Sequence, residues 1–445
     1  MLLSFSVTNF RSIRDEQTLS MTRSRRIAAH RTTPEADTPD TNTVAGIYGS
    51  NASGKSNLIL AVRFMCDAIR DSHSRWSPEG GTPFDPFRLD TEHPTAPSRF
   101  EAEIQARDIR YQYGFELNGD RILREWMYAF PHGRRQTWFE RDADDKTEWY
   151  FGKGLGGQNK VISEITRPNS LFLSAAATAN HDKLSYVHHL FVAHFRFANE
   201  RNFRSRIRFT IKEIEKRPET LEELTRLLKF ADLGICGIKL KKPDYDLKPR
   251  PEFVELTKRL IAESGDLPSP TDQEIDSLLK QTTEIELQHA SAGGHELVGL
   301  PFESESMGTR SLLALGGPAL QAFRTGYTLF VDEIDTSLHP NLVAELVRLF
   351  KSPETNPKHA QLVFTSHDTS LMGNLIEDGP VLERDQTWFM EKDQGGASTL
   401  YPLTDFNPRK QENLERGYLQ GRYGAVPFIR TRELVPEARS PEEHA

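Results

Sequence analysis

In two parts of the first third of the chain, apolar and polar positions alternate with the two-residue period of strands. The first sixteen residues predict a half-buried strand followed by a turn at residues 9–12. From Arg99 to Phe151, short alternating runs are separated by turn sequences such as Asn118-Gly119-Asp120. We therefore predict an antiparallel meander over this stretch, and a separate short strand at residues 43–48.

Beyond residue 174 the pattern becomes helical, and prolines interrupt it repeatedly up to about residue 287. This combination predicts a helical subdomain inserted at residues 174–287. Two alternating runs on either side of Gly293-Gly294 then predict a strand pair, which we expect to return the chain to the preceding sheet.

The last third of the chain alternates helical periods with short buried runs. Residues 308–324 and 340–351 have the helical period, whereas residues 328–331 and 361–365 are continuous apolar runs typical of buried strands. Such an alternation predicts a βαβ unit with a parallel sheet, so the expected fold class is α/β. Residues 431–445 are poor in apolar side chains, and we expect a disordered tail there.

Composition indicates a folded protein of an intracellular compartment. Hydrophobic residues make up 37% and charged residues 27% of the chain, and the net charge of −8 supplies no global basic field for nucleic acid. The two cysteines, Cys66 and Cys236, lie far apart and lack metal-ligand spacing, which favours a reducing cytoplasm. The sequence contains neither a membrane-length apolar run nor a secretory leader pattern, so we expect no membrane role.

The first chemical motif lies between the strand at residues 43–48 and a helical segment that begins near Leu58. Residues 49–56 read GSNASGKS, which matches the G-x-x-x-x-G-K-[ST] phosphate-binding loop. Gly49 and Gly54 allow the tight backbone path, and the helix start directs its positive dipole end at the same anion. Lys55 is expected to reach the β- and γ-phosphates of ATP, and Ser56 to bind Mg²⁺. The residues expected to surround the phosphates are Gly49, Ser50, Asn51, Ala52, Ser53, Gly54, Lys55, Ser56 and Asn57.

An acidic pair follows a buried strand further along the chain. In YTLFVDEID, residues 327–335, Asp332 and Glu333 come at the carboxyl end of the strand, where open α/β sheets bind ligands. This arrangement matches a Walker B motif, with Asp332 in the Mg²⁺ shell and Glu333 orienting the attacking water. Paired acids at a strand end are also common as plain caps, but the upstream phosphate loop favours catalysis.

Two further positions suggest contacts with the nucleotide. His367 ends the next buried strand, LVFTSHD, and is either a switch that senses the γ-phosphate or an ordinary surface histidine. Ser306 and Gly308 stand at the start of the helix at residues 308–324, where backbone amides can bind an anion. An ordinary helix cap without a ligand is the alternative at that position.

With these motifs in this order, the chain resembles the ABC-type ATPases of the structural-maintenance, RecF and OLD group. More narrowly it resembles the AAA15 (RloA-like) family of prokaryotic ATPases, which occur in anti-phage and abortive-infection systems. The segments that carry the resemblance are SFSVTNFRSI (4–13), GSNASGKSN (49–57), PFRLD (86–90), KFADLGI (229–235), SMGTR (306–310), LFVDEID (329–335), SLHP (337–340), TSHD (365–368) and GRYGAVPF (421–428).

The resemblance implies an ATPase head formed by residues 1–173 and 288–430. Two heads would close on two ATP molecules, so the expected partner is a second copy of the chain in a homodimer or higher oligomer. Ser306 and Gly308 of one subunit would then face the γ-phosphate held by Lys55 of the other, and Asp335 would couple the two sites. The signature SMGTR departs from the usual LSGGQ, which weakens the assignment of that contact between subunits.

Two features of the family pattern stay open in the sequence. Gln105 and Gln112 lie in the predicted meander, so neither is assigned as the Q-loop glutamine. Arg422, in the GRYGAVPF segment, either touches nucleotide or anchors the C-terminal segment to the head.

Two functions compete. The first is a dimerising ATPase switch of an anti-phage system that acts through a separate effector, since the short stretch after His367 leaves little room for a nuclease domain. The second is a RecF/SMC-like DNA-repair ATPase that binds duplex DNA. The basic stretch at residues 196–217, with its interleaved Phe203 and Phe209, is either an ordinary solvated face or a helix that follows DNA phosphates, and the latter would favour this function. A transporter subunit is disfavoured, because the long separation of Lys55 and Asp332 exceeds what a compact transporter head needs.

Overall fold

A computed structural model provides the structure of the chain. It describes residues 1–23, 41–199, 202–231, 234–241, 255, 283–291, 296–373, 380–409 and 412–426. The tail expected at residues 431–445, and most of residues 242–282 in the expected helical subdomain, lie outside the described residues.

Strands and helices are numbered in chain order. The strands are β1 (Leu2–Thr8), β2 (Gln17–Ser20), β3 (Val44–Tyr48), β4 (Ser98–Ala106), β5 (Ile109–Leu117), β6 (Ile122–Phe130), β7 (Gln136–Asp142), β8 (Trp149–Phe151), β9 (Phe195–Ala198), β10 (Ile235–Lys241), β11 (Glu284–Ala290), β12 (Leu297–Pro301), β13 (Thr328–Val331), β14 (Gln361–Ser366), β15 (Thr387–Lys392) and β16 (Ser398–Pro402). The helices are α1 (Lys55–Asp71), α2 (Asn159–Ile165), α3 (Phe172–Thr178), α4 (Asp182–His194), α5 (Phe203–Lys216), α6 (Glu219–Phe230), α7 (Met307–Thr325), α8 (Pro340–Lys351) and α9 (Leu414–Leu419). No helix in these described ranges is both long and apolar enough to cross a bilayer.

A largely parallel sheet lies at the centre of the α/β fold. Its strand order is β16-β15-β3-β14-β13-β9, and only β16 runs antiparallel to its neighbour. Every residue of β3, β13 and β14 is buried, because helices cover both faces of the sheet. The carboxyl ends of these three strands meet at one edge, which brings the phosphate loop, the acidic pair and His367 together.

Each face of this sheet packs against its own hydrophobic cluster, and the residues of β3 are divided between the two clusters. Ala45 and Ile47 contact a cluster that also contains residues of α1, α3, α4 and the antiparallel sheet. Val44 and Tyr48 point to the opposite face and pack with α5, α6, α7 and α8. The parallel sheet is therefore the layer that joins the N-terminal and C-terminal parts of the chain.

The predicted meander is confirmed, and it is larger than the sequence indicated. Strands β4 to β8 pair antiparallel in sequence order, and β1 and β2 extend the same sheet in the order β2-β1-β4-β5-β6-β7-β8. The buried carboxylate of Glu125 on β6 accepts hydrogen bonds from the Tyr113 hydroxyl at 2.8 Å and from the N–H groups of Phe172 and Leu173 at 2.6 and 3.0 Å. Burial raises the pKa of Glu125, while these donors oppose that shift. They anchor α3 to the sheet.

The structure refines one expectation about residues 174–301 and contradicts another. The described part of the segment at 174–287 contains α4, α5 and α6, but it also contains β9, which pairs parallel with β13 in the central sheet, and β10. The strand pair around Gly293-Gly294 does not return to the preceding sheet. Instead β11 and β12 form a separate three-stranded sheet with β10. A four-residue strand inside a helical pattern, and the identity of a pairing partner, are properties that periodicity does not encode.

Helix α7 packs closely against α5 and α6 through two adjacent glycines. A Cβ atom at Gly317 would lie 2.2 Å from Thr210 Oγ1 and 3.0 Å from its Cα, so α5 and α7 meet at backbone distance. A Cβ atom at Gly316 would instead meet only the ends of the Leu224 and Leu227 side chains, at 2.8 and 3.1 Å. Only Gly317 is therefore constrained by backbone that cannot move aside.

We expect Gly317→Ala to destabilise the protein by about 1–3 kcal/mol, the usual cost of overpacking, because the new methyl group must push α5 from α7. Gly316→Ala is the matched control, since flexible leucine ends can move and alanine gains about 0.5–1 kcal/mol in a helix. Denaturant unfolding measures both variants. Equal free energies of unfolding for the two would contradict this account of the α5–α7 contact.

Candidate nucleotide-binding site

The phosphate loop lies between β3 and α1, and close contacts explain why two of its positions are glycine. Gly54 has φ of 105°, and a Cβ atom there would lie 2.2 Å from Ser398 Oγ. A Cβ atom at Gly49 would lie 2.2 Å from the carbonyl oxygen of Met390 on β15. Both positions thus require glycine: Gly54 for its left-handed backbone and both for the close approach of β15 and β16.

The Lys55 side chain folds back over this loop. Its Nζ atom donates hydrogen bonds to the carbonyl oxygens of Gly49 at 2.8 Å and Ser50 at 3.1 Å. Burial lowers the pKa of Lys55, while the nearby carboxylates of Glu333, Asp332 and Asp335 oppose that shift. A partly desolvated ammonium group interacts strongly with an incoming anion, as phosphate binding requires.

Asp332 connects three elements of the site. Its Oδ1 atom accepts hydrogen bonds from the Ser56 hydroxyl at 3.0 Å and from the Thr365 hydroxyl at 2.7 Å. The same Thr365 oxygen accepts a hydrogen bond at 2.7 Å from the backbone N–H of Glu333, a residue with φ of 54°. The ends of β13 and β14 therefore hold the acidic pair against the first turn of α1.

Sequence reasoning missed the role of Thr365. The residue is fully buried at the end of β14, next to β13, where Val331 is paired with Phe364. Its place in the TSHD motif, directly before the strand ends, was the available signal. The Thr365 hydroxyl makes the hydrogen bonds to Asp332 and Glu333. The TSHD motif therefore supplies a structural partner of the Walker B acids in addition to His367.

Ser56 and Asp332 form a donor set that fits Mg²⁺. Their hydroxyl and carboxylate oxygens lie 3.0 Å apart, and both are hard oxygen ligands of the kind this ion prefers. Magnesium usually takes few protein ligands and fills its other positions with water and phosphate oxygens. When bound, it would neutralise charge on the phosphates.

A cavity of about 720 Å³, which we call the phosphate cavity, brings most of the predicted residues together. It is lined by Asn51, Ala52, Ser53, Gly54, Lys55, Ser56, Asn57, Glu333, His367 and Lys392. Lys392, at the end of β15, was not foreseen. Asp335 is not in this lining; both of its carboxylate oxygens accept hydrogen bonds from the backbone N–H of His367, each at 3.3 Å.

The signature residues lie elsewhere in the same chain. Ser306 is the N-cap of α7, and its hydroxyl oxygen accepts a hydrogen bond from the Thr309 N–H at 3.1 Å. A Cβ atom at Gly308 would lie 2.9 Å from the Ser337 carbonyl oxygen, so the start of α7 contacts the loop after Walker B. Neither residue lines the phosphate cavity, and their contact with nucleotide in a second subunit stays a prediction.

A second cavity, of about 650 Å³, adjoins the acidic pair, and we call it the Walker B cavity. Ser56, Asp332 and Glu333 line it, together with Asn199 at the end of β9. The backbone N–H of Asp332 donates to the Ala198 carbonyl oxygen at 2.9 Å, which fixes the end of β9 beside Walker B. Gln105 and Gln112 lie on β4 and β5 of the other sheet.

The contacts of Arg422 match the anchoring interpretation. Its Nη1 atom donates to Glu412 Oε1 at 3.1 Å, and the Tyr423 hydroxyl donates to the same oxygen at 3.0 Å. The Tyr423 ring is buried and stacks on Phe389 of β15, with ring centroids 5.8 Å apart. This segment holds the C-terminal part of the described chain against the parallel sheet.

Comparisons with known proteins find an AAA domain over most of the chain. Residues 44–373 match the family model AAA_21, described as "AAA domain, putative AbiEii toxin, Type IV TA system". None of the curated proteins matches the chain. Among solved structures, an SMC head bound to the C-winged helix domain of ScpA has a TM-score of 0.43 and 14% identity, covering 94% of this chain and 99% of that one. An Smc head with an extended coiled coil, bound to the C-terminal domain of ScpA derived from Pyrococcus furiosus, has a TM-score of 0.36 and 13% identity, covering 95% and 98%.

We expect Thr365→Val to weaken both the fold and the site. The change leaves the Glu333 N–H without its acceptor and removes one donor from the Asp332 carboxylate, at a cost of about 1–3 kcal/mol. Thr365→Ser keeps the hydroxyl and is the control. Thermal unfolding and ATP turnover measure the two variants, and a valine variant equal to the parent in both would refute the assigned role.

Proposed function

The chain belongs to the AAA_21 family of AAA domains, and on that premise we propose that it is an ATP-binding and ATP-hydrolysing switch that works as a dimer of heads. The observation that carries the proposal is the phosphate cavity, where a phosphate loop with Lys55 and Ser56 faces Glu333 and His367. Asp332, bonded to Ser56, completes a Mg²⁺ donor set beside it. The reactants are ATP and water, and the products are ADP and phosphate.

Each residue of the site has a role in this proposal. The loop amides and Lys55 bind the phosphates, and Ser56 and Asp332 hold Mg²⁺. Glu333 accepts a proton from the attacking water and orients it, because its side chain is exposed to the phosphate cavity. His367 lies at the same cavity and contacts the γ-phosphate. Positioning and electrostatics of this kind account for most of the catalysis of phosphoryl transfer.

The position of the signature residues supports the proposed dimer. Ser306 is exposed, and neither it nor Gly308 lines the phosphate cavity of its own chain. Met307 between them has 55% of its surface exposed, so it is accessible to a second subunit. A second subunit would bury Met307 and bring Ser306 to its γ-phosphate. Asp335, tied to the His367 backbone, would transmit closure between the two sites.

We place this switch in an anti-phage or abortive-infection system, where it acts through a separate effector protein. Two observations support that context: the motifs resemble the AAA15 family, and the matched family is described by an AbiEii toxin and a type IV toxin–antitoxin system. ATP-driven closure can shift the effector only by the difference in ATP affinity between open and closed heads. A surface exposed or hidden by closure would carry the signal.

A DNA-repair function is the second candidate, and α5 is the observation that favours it. Arg204, Arg208, Lys212 and Lys216 are exposed on this helix at intervals of four residues, which places them along one face. A row of cations of this kind matches the phosphate backbone of duplex DNA. Phe203 and Phe209 are only partly buried on the same helix.

Lys55→Ala should abolish ATP binding measured by calorimetry. The variant loses charge-assisted hydrogen bonds to phosphate that are each worth about 1.5–3 kcal/mol. Lys146→Ala, at an exposed position of the β7–β8 connection, is the control and should bind as the parent does. Parent-like affinity in Lys55→Ala would show that the phosphate loop is assigned wrongly.

Glu333→Gln should retain ATP binding but lose turnover by a factor of about 10²–10⁴, the usual contribution of a general base. Because hydrolysis no longer opens the heads, a dimer should accumulate with ATP and Mg²⁺, as light scattering after size exclusion would detect. Glu79→Gln, at an exposed position, is the control. Normal ATP turnover and an unchanged molar mass with ATP in Glu333→Gln would contradict both the role of Glu333 as the general base and the proposed dimer.

Duplex DNA binding distinguishes the two candidate functions. If α5 contacts DNA, the logarithm of the affinity should fall linearly with the logarithm of salt, with a slope of about −0.9 per phosphate neutralised. The double variant Arg204→Glu, Arg208→Glu should then reduce both affinity and slope, whereas Arg226→Glu on α6 should not. Absence of salt-dependent binding in the parent favours a protein effector over DNA repair.

A further inference from the structure

The guanidinium group of Arg206 on α5 is largely desolvated, and no described residue forms an ion pair with it. Within the described residues its only hydrogen bond is from Nη2 to the Asn199 carbonyl oxygen at 3.1 Å, and it takes part in no ion pair. Its Nε atom is inaccessible and has no hydrogen-bond partner among the described residues. Desolvation lowers the pKa of Arg206 to about 10. A desolvated cation of this kind is costly unless an anion joins it.

Arg206 lies where such an anion is expected. It lines the Walker B cavity together with Ser56, Asp332 and Glu333. Ser56 and Glu333 also line the phosphate cavity, so the two cavities meet at the residues expected to surround the γ-phosphate. Arg63, the other arginine of this lining, is accounted for by an ion pair with Asp67 at 3.5 Å.

The fold holds Arg206 on a rigid support. Its guanidinium carbon lies 5.6 Å from the centre of the Phe203 ring, one turn earlier on α5, and that ring stacks on Phe302. Four residues after Arg206, Thr210 contacts Gly317 at backbone distance and fixes α5 against α7. The position of the guanidinium group is thus set by two packed helices and not by a surface loop.

We propose that Arg206 is a catalytic residue supplied by the same chain, donating hydrogen bonds to the γ-phosphoryl oxygens of ATP as hydrolysis proceeds. This inference rests on the proposed function. The water oxygen forms a bond to the γ-phosphorus while the bond from that phosphorus to the β,γ-bridging oxygen breaks. Glu333 takes the proton of the water, and ADP and phosphate leave. Negative charge on the equatorial oxygens is what an arginine stabilises in such a step.

This assignment explains why Arg206 forms no ion pair within the described part of the chain. A permanent ion pair would neutralise the guanidinium group and hold it away from the phosphate. Of the two carboxylates on the cavity wall, Asp332 accepts hydrogen bonds from Ser56 and Thr365, and Glu333 is the residue proposed to act on the attacking water.

The test compares Arg206→Met with the parent and with Arg226→Met, a change of an exposed arginine on α6. Arginines that stabilise transferred phosphoryl groups are worth about 10³–10⁵ in kcat, so Arg206→Met should lose at least 10³-fold in turnover. Its calorimetric Kd for ATP should stay within about threefold, because the interaction strengthens in the transition state. ADP with aluminium fluoride mimics that state, so the affinity of Arg206→Met for it should fall by a factor similar to the loss in kcat.

The thermal stability of Arg206→Met distinguishes a catalytic role of Arg206 from a structural one. Removing an unpaired desolvated cation should leave the Tm of Arg206→Met equal to or above that of the parent. Parent-like turnover and aluminium fluoride affinity in Arg206→Met would overturn the inference while leaving the proposed ATPase intact. A lower Tm with equal losses of ATP binding and turnover would also overturn it, as a folding defect. A parent chain that binds no ATP would refute the proposed function, and this inference with it.

Discussion

The rest of the site depends on the hydrogen bonds of Asp332. Its carboxylate accepts hydrogen bonds from Ser56 at the start of α1 and from Thr365 at the end of β14, while its own backbone N–H donates to Ala198 at the end of β9. Four segments that are distant in sequence are thereby held at one edge of the parallel sheet. Strand order makes this possible, because β3, β14, β13 and β9 are successive neighbours whose carboxyl ends coincide.

Two desolvated cations, Lys55 and Arg206, lie near this edge of the parallel sheet. Desolvation lowers the pKa of Lys55, and the carboxylates of Glu333, Asp332 and Asp335 oppose it. Arg206 is desolvated with no such compensation among the described residues. Cations held out of water in this way interact more strongly with phosphate than exposed cations do. The free energy that their desolvation costs is offset when the nucleotide binds.

The helical layer links the site to the signature residues. Helix α7 begins at the signature residues, where Gly308 contacts the Ser337 carbonyl oxygen in the loop after Walker B. The same helix contacts α5 at Gly317 and Thr210, one turn from Arg206. A change at the start of α7 can therefore reach both the acidic pair and Arg206 through packed backbone. Close-packed interiors transmit strain between the elements that they join.

The sequence by itself determined the phosphate loop, the acidic pair, the meander and the βαβ order, because each depends on local spacing or on a two-residue or helical period. It left Thr365, Lys392 and Arg206 unassigned. Thr365 lies in the TSHD motif and Arg206 in the basic stretch at residues 196–217, but neither pattern specifies which residue the side chain contacts. Only the tertiary structure placed them at the site, through the register of β14 on β13, the neighbouring position of β15 and the packing of α5 on α7. Periodicity specifies which face of an element is buried, whereas strand order and helix packing decide which faces meet.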